Sequence, residues 1–169
     1  MLRAMADRFF ASTSVTFEVR DPSDPGARWC LDQYFNELDR RFDTGFGHVA
    51  PRAVAAALVD YKPPKGLFLV VMLRGELVGC GALRFRGDAI AELKRMWVDE
   101  TVRGLGIGRR LLGELERRAA EAGARVVRLE TNRSLTEAIA LYRSTGYVEV
   151  EAFNDLQYAH HWFAKPLNP

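Results

Sequence analysis

The chain has 169 residues, the size of one domain, and can bury a core without disulfides or a structural metal. Its 48% hydrophobic and 27% charged residues are typical of a soluble globular protein. The 24 Lys and Arg nearly balance the 22 Asp and Glu, so a net charge of +2 gives no support for nucleic acid or a membrane as partner. No apolar run approaches the roughly 20 residues that span a bilayer.

The cysteines and the N-terminus bear on where the protein works. Cys30 and Cys80 lack metal or redox spacing, and Cys80 lies in an apolar run, as a small core residue would. Residues 1–13 lack the apolar segment and cleavage site of a signal peptide, and we expect them to form a loosely ordered extension. These features predict a single domain over residues 1–169 in the reducing cytoplasm, with no metal.

The N-terminal third predicts one strand followed by two helices. Alternating apolar residues from Ser14 to Arg20 predict the strand, which turn-forming residues end. Apolar residues then recur at helical spacing from Leu31 to Phe42. A second helix is expected from Pro51 to Tyr61, because Pro63 and its neighbours break the pattern there.

The middle of the chain predicts a three-stranded meander. Strands are expected over Leu67–Leu73, Leu77–Phe85 and Ala89–Val98. Short glycine-containing turns separate the three strands, and such turns favour antiparallel pairing.

After Val98 the pattern changes to alternating helices and strands. An amphipathic helix begins near Ile107 and stops at Gly123. Ser134 and Glu137 form the pattern of a capping box, which predicts the start of a last helix that ends at Gly146. Strands are expected over Arg125–Thr131, Tyr147–Val150 and Tyr158–Lys165. The whole order predicts an α+β fold, one mixed sheet with helices packed on it.

The most informative segment is the loop that leads into the amphipathic helix. It has glycine at every second position, as Gly104, Gly106 and Gly108, although glycine in a first helical turn costs up to about 1 kcal/mol relative to alanine. Without Cβ atoms, successive N–H groups can converge on an anion, and the positive end of the helix dipole adds to the attraction. The segment therefore predicts a phosphate site.

Nearby arginines support this prediction. Arg103, Arg109 and Arg110 oppose the helix dipole unless an anion lies between them. The segment is not a P-loop, because Gly108 is not followed by Lys and then Ser or Thr. It is not a dinucleotide fingerprint either, because the third glycine is absent. The remaining alternative is a flexible loop with surface arginines.

The segment resembles the signature of the GNAT N-acetyltransferases, Gln/Arg-x-x-Gly-x-Gly/Ala, which Arg103, Gly106 and Gly108 match. The strand before it and Tyr142-x-x-x-Gly-Tyr147 after it extend the resemblance, which runs from near Phe68 to the C-terminus. The region before Phe68 matches only in the order of its elements. The resemblance implies a mixed, mostly antiparallel sheet of about seven strands flanked by about four helices.

The resemblance also implies acetyl-CoA as co-substrate. In this family the backbone of the strand before the signature holds the pantetheine arm, which places Met96, Trp97 and Val98 there, and Asn132 matches a further pantetheine position. The pyrophosphate would be held by the residues of the turn, which are Arg103, Gly104, Leu105, Gly106, Ile107, Gly108 and Arg109.

For catalysis the resemblance implies Tyr142 as the general acid. A phenol can give a proton to the departing CoA thiolate, whose thiol has a reference pKa of about 8.5. The alternative is a core tyrosine, since Tyr142 lies on a helical stripe with Leu141. Glu92 has the spacing of the base in the histone acetyltransferase members. Its alternatives are an ion pair with Lys94 on the same strand face, and a water chain as the base.

The acceptor is expected to be a primary amine of a small molecule or peptide, bound by the parts least similar to the family. Tyr34 and Glu37 in the first helix, with Asn154 and His160 near the last strand, are the candidates. No serine or cysteine nucleophile with a positioned base is visible, which favours direct transfer in a ternary complex. A CoA-binding sensor without catalysis and transfer of a longer acyl group are the alternatives. Family members often form homodimers.

Overall fold

The computed structural model describes residues 4–5, 14–42 and 50–168. Its strands are β1 Val15–Val19, β2 Gly66–Leu73, β3 Glu76–Arg86, β4 Ile90–Val98, β5 Val126–Thr131, β6 Val148–Val150 and β7 His161–Pro166. They form one seven-stranded sheet in the order β1-β2-β3-β4-β5-β7-β6. Neighbouring strands are antiparallel, except β4 and β5, which run parallel.

Helices pack on both faces of this sheet. Within the ranges 14–42 and 50–168, the α-helices are α1 Pro25–Arg41, α2 Ala50–Asp60, α3 Ile107–Glu121 and α4 Thr136–Ser144. A 3₁₀ turn, Glu100–Val102, follows β4. It leads into residues 103–106, which we call the glycine loop, and then into α3. The predicted α+β fold, with a mixed and mostly antiparallel sheet of seven strands and four helices, is confirmed.

The sheet separates two apolar clusters. On one face, α3 and α4 cover the sheet with side chains that include Leu111 and Leu115. On the other face, α1 and α2 cover it with side chains that include Leu31 and Phe35. Strand β2 contributes to both clusters, which explains why its sequence is apolar without alternation. The cysteines are free and buried, as predicted for Cys80.

Helix α1 begins before the apolar periodicity that predicted it. The Asp24 carboxylate accepts hydrogen bonds from the backbone N–H groups of Gly26 at 3.0 Å and Ala27 at 3.1 Å. Pro25 occupies the first turn, where a missing N–H costs nothing. The cap and the proline fix the start of the helix, so the first turn does not need the apolar stripe.

The capping box predicted at Ser134 and Glu137 is not formed. Helix α4 begins at Thr136, with Leu135 at the cap position and no side-chain cap hydrogen bond. Instead, the Ser134 backbone N–H donates to Asn132 Oδ1 at 2.9 Å. The Glu137 carboxylate lies 2.7 Å from Arg41 Nη2 on α1, so this tertiary ion pair replaces the local cap.

The one parallel contact in the sheet is short. β4 and β5 pair only from Ile90 to Glu92, opposite Val126 to Arg128, although both strands continue beyond those residues. Past this point β4 is irregular, because Arg95 has a φ of 55° and the register with β3 shifts between Cys80 and Ala82. Parallel strands that stop pairing diverge, and a cleft opens between them.

The last strand is shorter than predicted. The last strand begins at His161, so Tyr158 lies in the loop before it. The prediction for residues 1–13 lies outside the described residues, apart from 4–5. No helix in the described part of the chain is both long enough and apolar enough to cross a membrane.

Candidate active site

A cleft of about 420 Å³ lies where β4 and β5 diverge. We call it the large cleft. Its walls are the end of β4, the glycine loop with the start of α3, the inner side of α4, and the last turns of α1. All the predicted cofactor residues line the large cleft except Leu105 and Asn132.

The glycine loop presents bare backbone to the large cleft. Gly104 and Gly106 have positive φ angles of 84° and 79°, which side-chain-bearing residues adopt at a cost. No atom lies within 4 Å of the position that a Cβ would take at either glycine. Gly106 caps α3 without a side-chain hydrogen bond, so the first N–H groups of the helix stay available to an anion. These features fit the phosphates of coenzyme A.

The arginines of the loop are held by other elements. Arg103 donates to the Val98 carbonyl at 3.2 Å and forms an ion pair with Glu37 of α1. Glu37 also lies 3.6 Å from Arg41. Arg109 donates to Ser144 Oγ at 3.0 Å, which connects the start of α3 to the end of α4. Glu37, predicted to bind the acceptor, therefore lies beside the cofactor loop.

Asn132 does not reach the large cleft. Its side-chain amide donates to the Tyr158 carbonyl at 2.8 Å, while its Oδ1 accepts the Ser134 N–H. The side chain is buried at 6% exposure, and these two bonds hold the loop between β5 and α4. Asn132 therefore shapes this loop, and its contact with pantetheine stays a prediction.

A smaller cavity of about 60 Å³ adjoins the large cleft, and we call it the side cavity. The two share lining residues that include Tyr34, Met96 and Tyr142. The side cavity is further lined by Arg95 of β4 and Glu130 of β5. Neither residue was predicted from the sequence, although charged side chains within two predicted strands of the sheet were a visible signal.

Tyr142 of α4 lies where the two cavities meet. Its side chain is only 6% exposed and packs against Tyr147 and Phe163, with ring centroids 5.7 and 6.1 Å away. Burial raises the pKa of Tyr142, and the negative charge of Glu130 raises it further. The phenol is therefore protonated throughout the physiological pH range and can act as a donor.

Glu92 does not line either of these two cavities. Its carboxylate is 2% exposed and accepts hydrogen bonds from Arg86 Nε at 2.8 Å and Arg128 Nη2 at 3.0 Å. Burial raises the pKa of Glu92, but the Arg86 hydrogen bond and the charges of Lys94, Arg86 and Arg128 outweigh it and lower the pKa overall.

A carboxylate enclosed by arginines is a poor proton acceptor, and this placement argues against Glu92 as the base. The predicted ion pair between Glu92 and Lys94 is not formed either. Lys94 pairs instead with Glu130 across the β4–β5 gap.

The predicted acceptor residues separate into two groups. Tyr34 lines both cavities, and burial raises its pKa. Asn154 lines neither cavity, and its Oδ1 accepts a hydrogen bond from Trp162 Nε1 at 2.9 Å. His160 lines neither as well, and its Nδ1 accepts the Arg133 backbone N–H at 3.2 Å. Of the predicted acceptor residues, Tyr34 shares both cavities with Tyr142, and Glu37 shares the large cleft.

A split between two parallel strands that leads to an uncapped, glycine-lined helix start defines a class of proteins that bind acyl-coenzyme A. The chain matches the model of the acetyltransferase (GNAT) family over residues 31–147, which is more than half of its length. It belongs to that family, and it is an acetyltransferase.

Individual relatives agree with this assignment. An IAA acetyltransferase of Azospirillum brasilense is 39% identical over 121 residues, which cover 69% of this chain and 76% of that protein. An aminoalkylphosphonate N-acetyltransferase of Salmonella typhimurium is 32% identical over 118 residues, or 66% of this chain and 70% of that protein. A solved Klebsiella pneumoniae structure, provisionally described as an acyl-CoA N-acyltransferase, has a TM-score of 0.75 at 27% identity, covering 91% of this chain and 98% of that one.

Proposed function

We propose that the protein transfers an acetyl group from acetyl-CoA directly to a primary amine of a small molecule or peptide, within a ternary complex. The family supports acetyl transfer, and the name of the Salmonella relative supports nitrogen as the acceptor atom. The observation that carries the proposal is the position of Tyr142, which lines both the large cleft and the side cavity. A cytoplasmic location and a homodimer stay predictions from the sequence and the family.

The large cleft is proposed as the site of acetyl-CoA. The N–H groups of the glycine loop and the first turn of α3 would hold the pyrophosphate, since no side chain caps them. At Met96, Trp97 and Val98, the edge of β4 on the side of β5 is not paired with that strand. The backbone of these three residues would hold the pantetheine arm, because they line the large cleft. The thioester would then lie near Tyr142.

The acceptor is proposed to reach the thioester from the side cavity. It arrives as an ammonium ion and must lose one proton before its nitrogen can attack. The nitrogen then bonds to the thioester carbonyl carbon, the carbon–sulfur bond breaks, and the nitrogen gives up a second proton. Tyr142 supplies one proton to the departing sulfur and is later reprotonated, so the reaction releases one proton overall.

The raised pKa of Tyr142 is compatible with this role. A phenol is a weaker acid than a thiol in water, with pKa values of about 10 and 8.5. The same burial that raises the pKa of the phenol would raise that of the CoA thiol, because desolvation disfavours both anions. The pKa values of the two groups therefore stay close enough for a proton to pass from the phenol to the sulfur as the carbon–sulfur bond breaks.

For the proton that leaves the amine we propose Glu130, directly or through water, in place of Glu92. Glu130 lines the side cavity, and its Oε2 is buried without a hydrogen-bond partner. Its other oxygen is paired with Lys94, which holds the carboxylate in position. An unpartnered carboxylate oxygen at the acceptor side can take a proton.

Replacement of Tyr142 by phenylalanine tests the acid. Y142F should lower kcat by about 100-fold, the lower range for loss of a general acid. Its affinity for acetyl-CoA should stay near wild type. The measurements are free-thiol release with a panel of small amines and peptides, and calorimetry with acetyl-CoA.

Tyr147 provides the matched control for Tyr142. It is a buried tyrosine next to Tyr142, but its hydroxyl donates to Glu116 at 3.1 Å instead of lining the cavities. Y147F should therefore keep kcat. Normal turnover by Y142F, or an equal loss in Y147F, would remove Tyr142 from the mechanism.

The proposed base has its own test. Glu130→Gln should lower kcat by about 100-fold. Glu92→Gln should keep kcat at temperatures where it is folded. A larger loss of kcat in folded E92Q than in E130Q would reverse the assignment.

The same assay separates the alternatives. A CoA-binding sensor would bind acetyl-CoA by calorimetry and release no thiol with any amine of the panel. Transfer of a longer acyl group would appear as faster thiol release with propionyl- or succinyl-CoA. The assay with each acyl-CoA decides between them.

A further inference from the structure

Arg95 of β4 occupies an unusual position for a charged residue. Its backbone φ of 55° places it in the left-handed region, a conformation that is unfavourable for arginine. The guanidinium carbon lies 5.6 Å from the ring centroid of Phe35 and 5.6 Å from that of Tyr61. Two aromatic rings and a strained backbone thus fix the side chain at the wall of the side cavity.

Arg95 forms no ion pair within the part of the chain that the structure describes, although the charge of Glu130 acts on it. Its Nε is buried and has no hydrogen-bond partner. Within the described ranges no carboxylate forms an ion pair with its guanidinium, and the nearby Glu130 is already paired with Lys94. A partly buried cation with no ion-pair partner is costly, and such a group is typically completed by a ligand.

We propose that Arg95 binds an anionic group of the acceptor, so that the acceptor is an amine that also carries a carboxylate or phosphonate. This inference rests on the proposed function and names its substrate class. A volume of about 60 Å³ suits such a head group, because one water molecule needs only about 15 Å³. Tyr34 also lines the side cavity, and its hydroxyl group can donate to an anion.

Glu130 completes the match to a zwitterion. Its buried Oε2 lacks a donor, just as the buried Arg95 Nε lacks an acceptor, and both residues line the side cavity. An acceptor with an ammonium group and an anion would satisfy both. A purely cationic amine would satisfy Glu130 alone and would place a second positive charge near the Arg95 guanidinium, which is unfavourable in a buried site.

The experiment compares amines that differ only in the anion. Thiol release from acetyl-CoA is measured with β-alanine, glycine and aminomethylphosphonate, and with β-alaninamide, glycinamide and the phosphonate diester. The anionic amines should be the better substrates by about 100-fold in kcat/KM, the range for a buried charge pair. Arg95→Met should abolish this preference, and Arg95→Lys should keep part of it. Equal turnover of charged and neutral amines by the wild type would overturn the inference and leave acetyl transfer intact.

A binding measurement does not depend on turnover. With CoA saturating the glycine loop, methylphosphonate and acetate should raise the Tm of the wild type by about 3 °C, and acetamide should not. The control Arg118→Met removes an arginine paired with Glu114 on the outer side of α3, and it should respond like the wild type. Arg95→Met should show no shift. Arg95→Lys, which keeps the charge but not the guanidinium geometry, should show a smaller shift than the wild type, and this comparison decides if the methionine variant does not fold.

The two measurements separate failure of the inference from failure of the proposed function. An anion effect that is absent in the wild type, or present equally in R95M, overturns the anion site. An anion effect that depends on Arg95, together with no thiol release from any amine, keeps the anion site and overturns acetyl transfer to amines.

Discussion

Burial controls the protonation of Tyr142. At 6% exposure, in contact with Tyr147 and Phe163, the phenolate would lose its hydration, so the neutral phenol is strongly favoured. The same packing restricts the rotation of the ring and holds the hydroxyl at the junction of the two cavities. A residue that sequence periodicity assigns to the core is therefore also well prepared as a proton donor.

The raised pKa of Tyr142 predicts the alkaline side of the pH profile. The group must be protonated to act, and its pKa lies above the ordinary value of about 10. Activity should therefore persist up to at least about pH 10 without a descending limb from this residue. Steady-state kcat between neutral pH and that limit tests this, and a descending limb that disappears in Y142F would contradict it.

Glu92 predicts a stability effect instead of a catalytic one. Its buried carboxylate joins Arg128 of β5 to Arg86 of β3, across three adjacent strands. Removing its charge leaves two partly exposed arginines without their partner, so E92Q should lose about 2 kcal/mol of unfolding free energy. Urea denaturation measures this loss, and unchanged stability would show that the cluster contributes nothing.

The dependence of this effect on pH has a definite sign. The pKa of Glu92 is lower in the folded protein than in the unfolded chain, where it is about 4.3. The contribution of the Glu92 carboxylate to the unfolding free energy is therefore complete above the unfolded pKa and is lost as the pH falls through the folded pKa. The difference in unfolding free energy between wild type and E92Q should be constant near neutral pH and shrink below about pH 4. A difference that grows on acidification would contradict the ion-pair explanation.

At the scale of elements, the start of α3 does two things at once. It begins the helix that covers one face of the sheet, and it leaves its first N–H groups without a cap. A capping side chain would satisfy these groups and would improve the helix, but it would also compete with an anion. The glycines therefore favour binding over helix stability.

Two alanine substitutions in the same region separate these effects. Gly106→Ala places a side chain in the left-handed region at a φ of 79°, which costs about 1 kcal/mol of stability, and it should weaken acetyl-CoA binding as well. Gly113→Ala lies inside α3, with no atom within 4 Å of the added Cβ, and should gain about 0.5 kcal/mol without changing acetyl-CoA affinity. Thermal unfolding and calorimetry on both variants test this, and equal affinities for acetyl-CoA would show that the loop does not bind it.

At the scale of the whole molecule, the large cleft is lined by elements that are distant in the sequence. Arg41 of α1 donates to the Ser134 carbonyl at 2.8 Å and pairs with Glu137 of α4, while Glu37 of α1 pairs with Arg103 of the loop. A ligand in this cleft contacts the loop, β4, α1 and α4 together. Its binding energy is therefore added to the stability of the whole fold.

Acetyl-CoA should accordingly stabilise the protein as a unit. At a concentration 100 times its Kd the ligand adds about 2.7 kcal/mol, which for a domain of this size corresponds to a rise in Tm of about 8 °C. Differential scanning calorimetry should show a single transition that moves with ligand concentration. The absence of any shift would show that the large cleft does not bind the co-substrate.

Local patterns in the sequence predicted the elements and the glycine loop. Strand alternation, helical periodicity and glycine placement are local patterns, and they located the sheet, the amphipathic α3 and the turn at Gly104 and Gly106. Asp24 and Pro25 show the limit of predicting elements from apolar patterns. Helix α1 begins at this cap and proline, before the apolar periodicity that predicted the helix.

Contacts between side chains that are distant in the sequence depend on the tertiary structure. Glu92 has the spacing of a base along the chain, yet the register of β4 with β3 and β5 places it between two arginines. The irregularity at Arg95 and the pairing of Lys94 with Glu130 depend on where parallel strands stop bonding, which no local pattern encodes. Local sequence sets backbone preference, but a site is made by contacts between distant strands, and their free energy depends on the packing of the whole sheet.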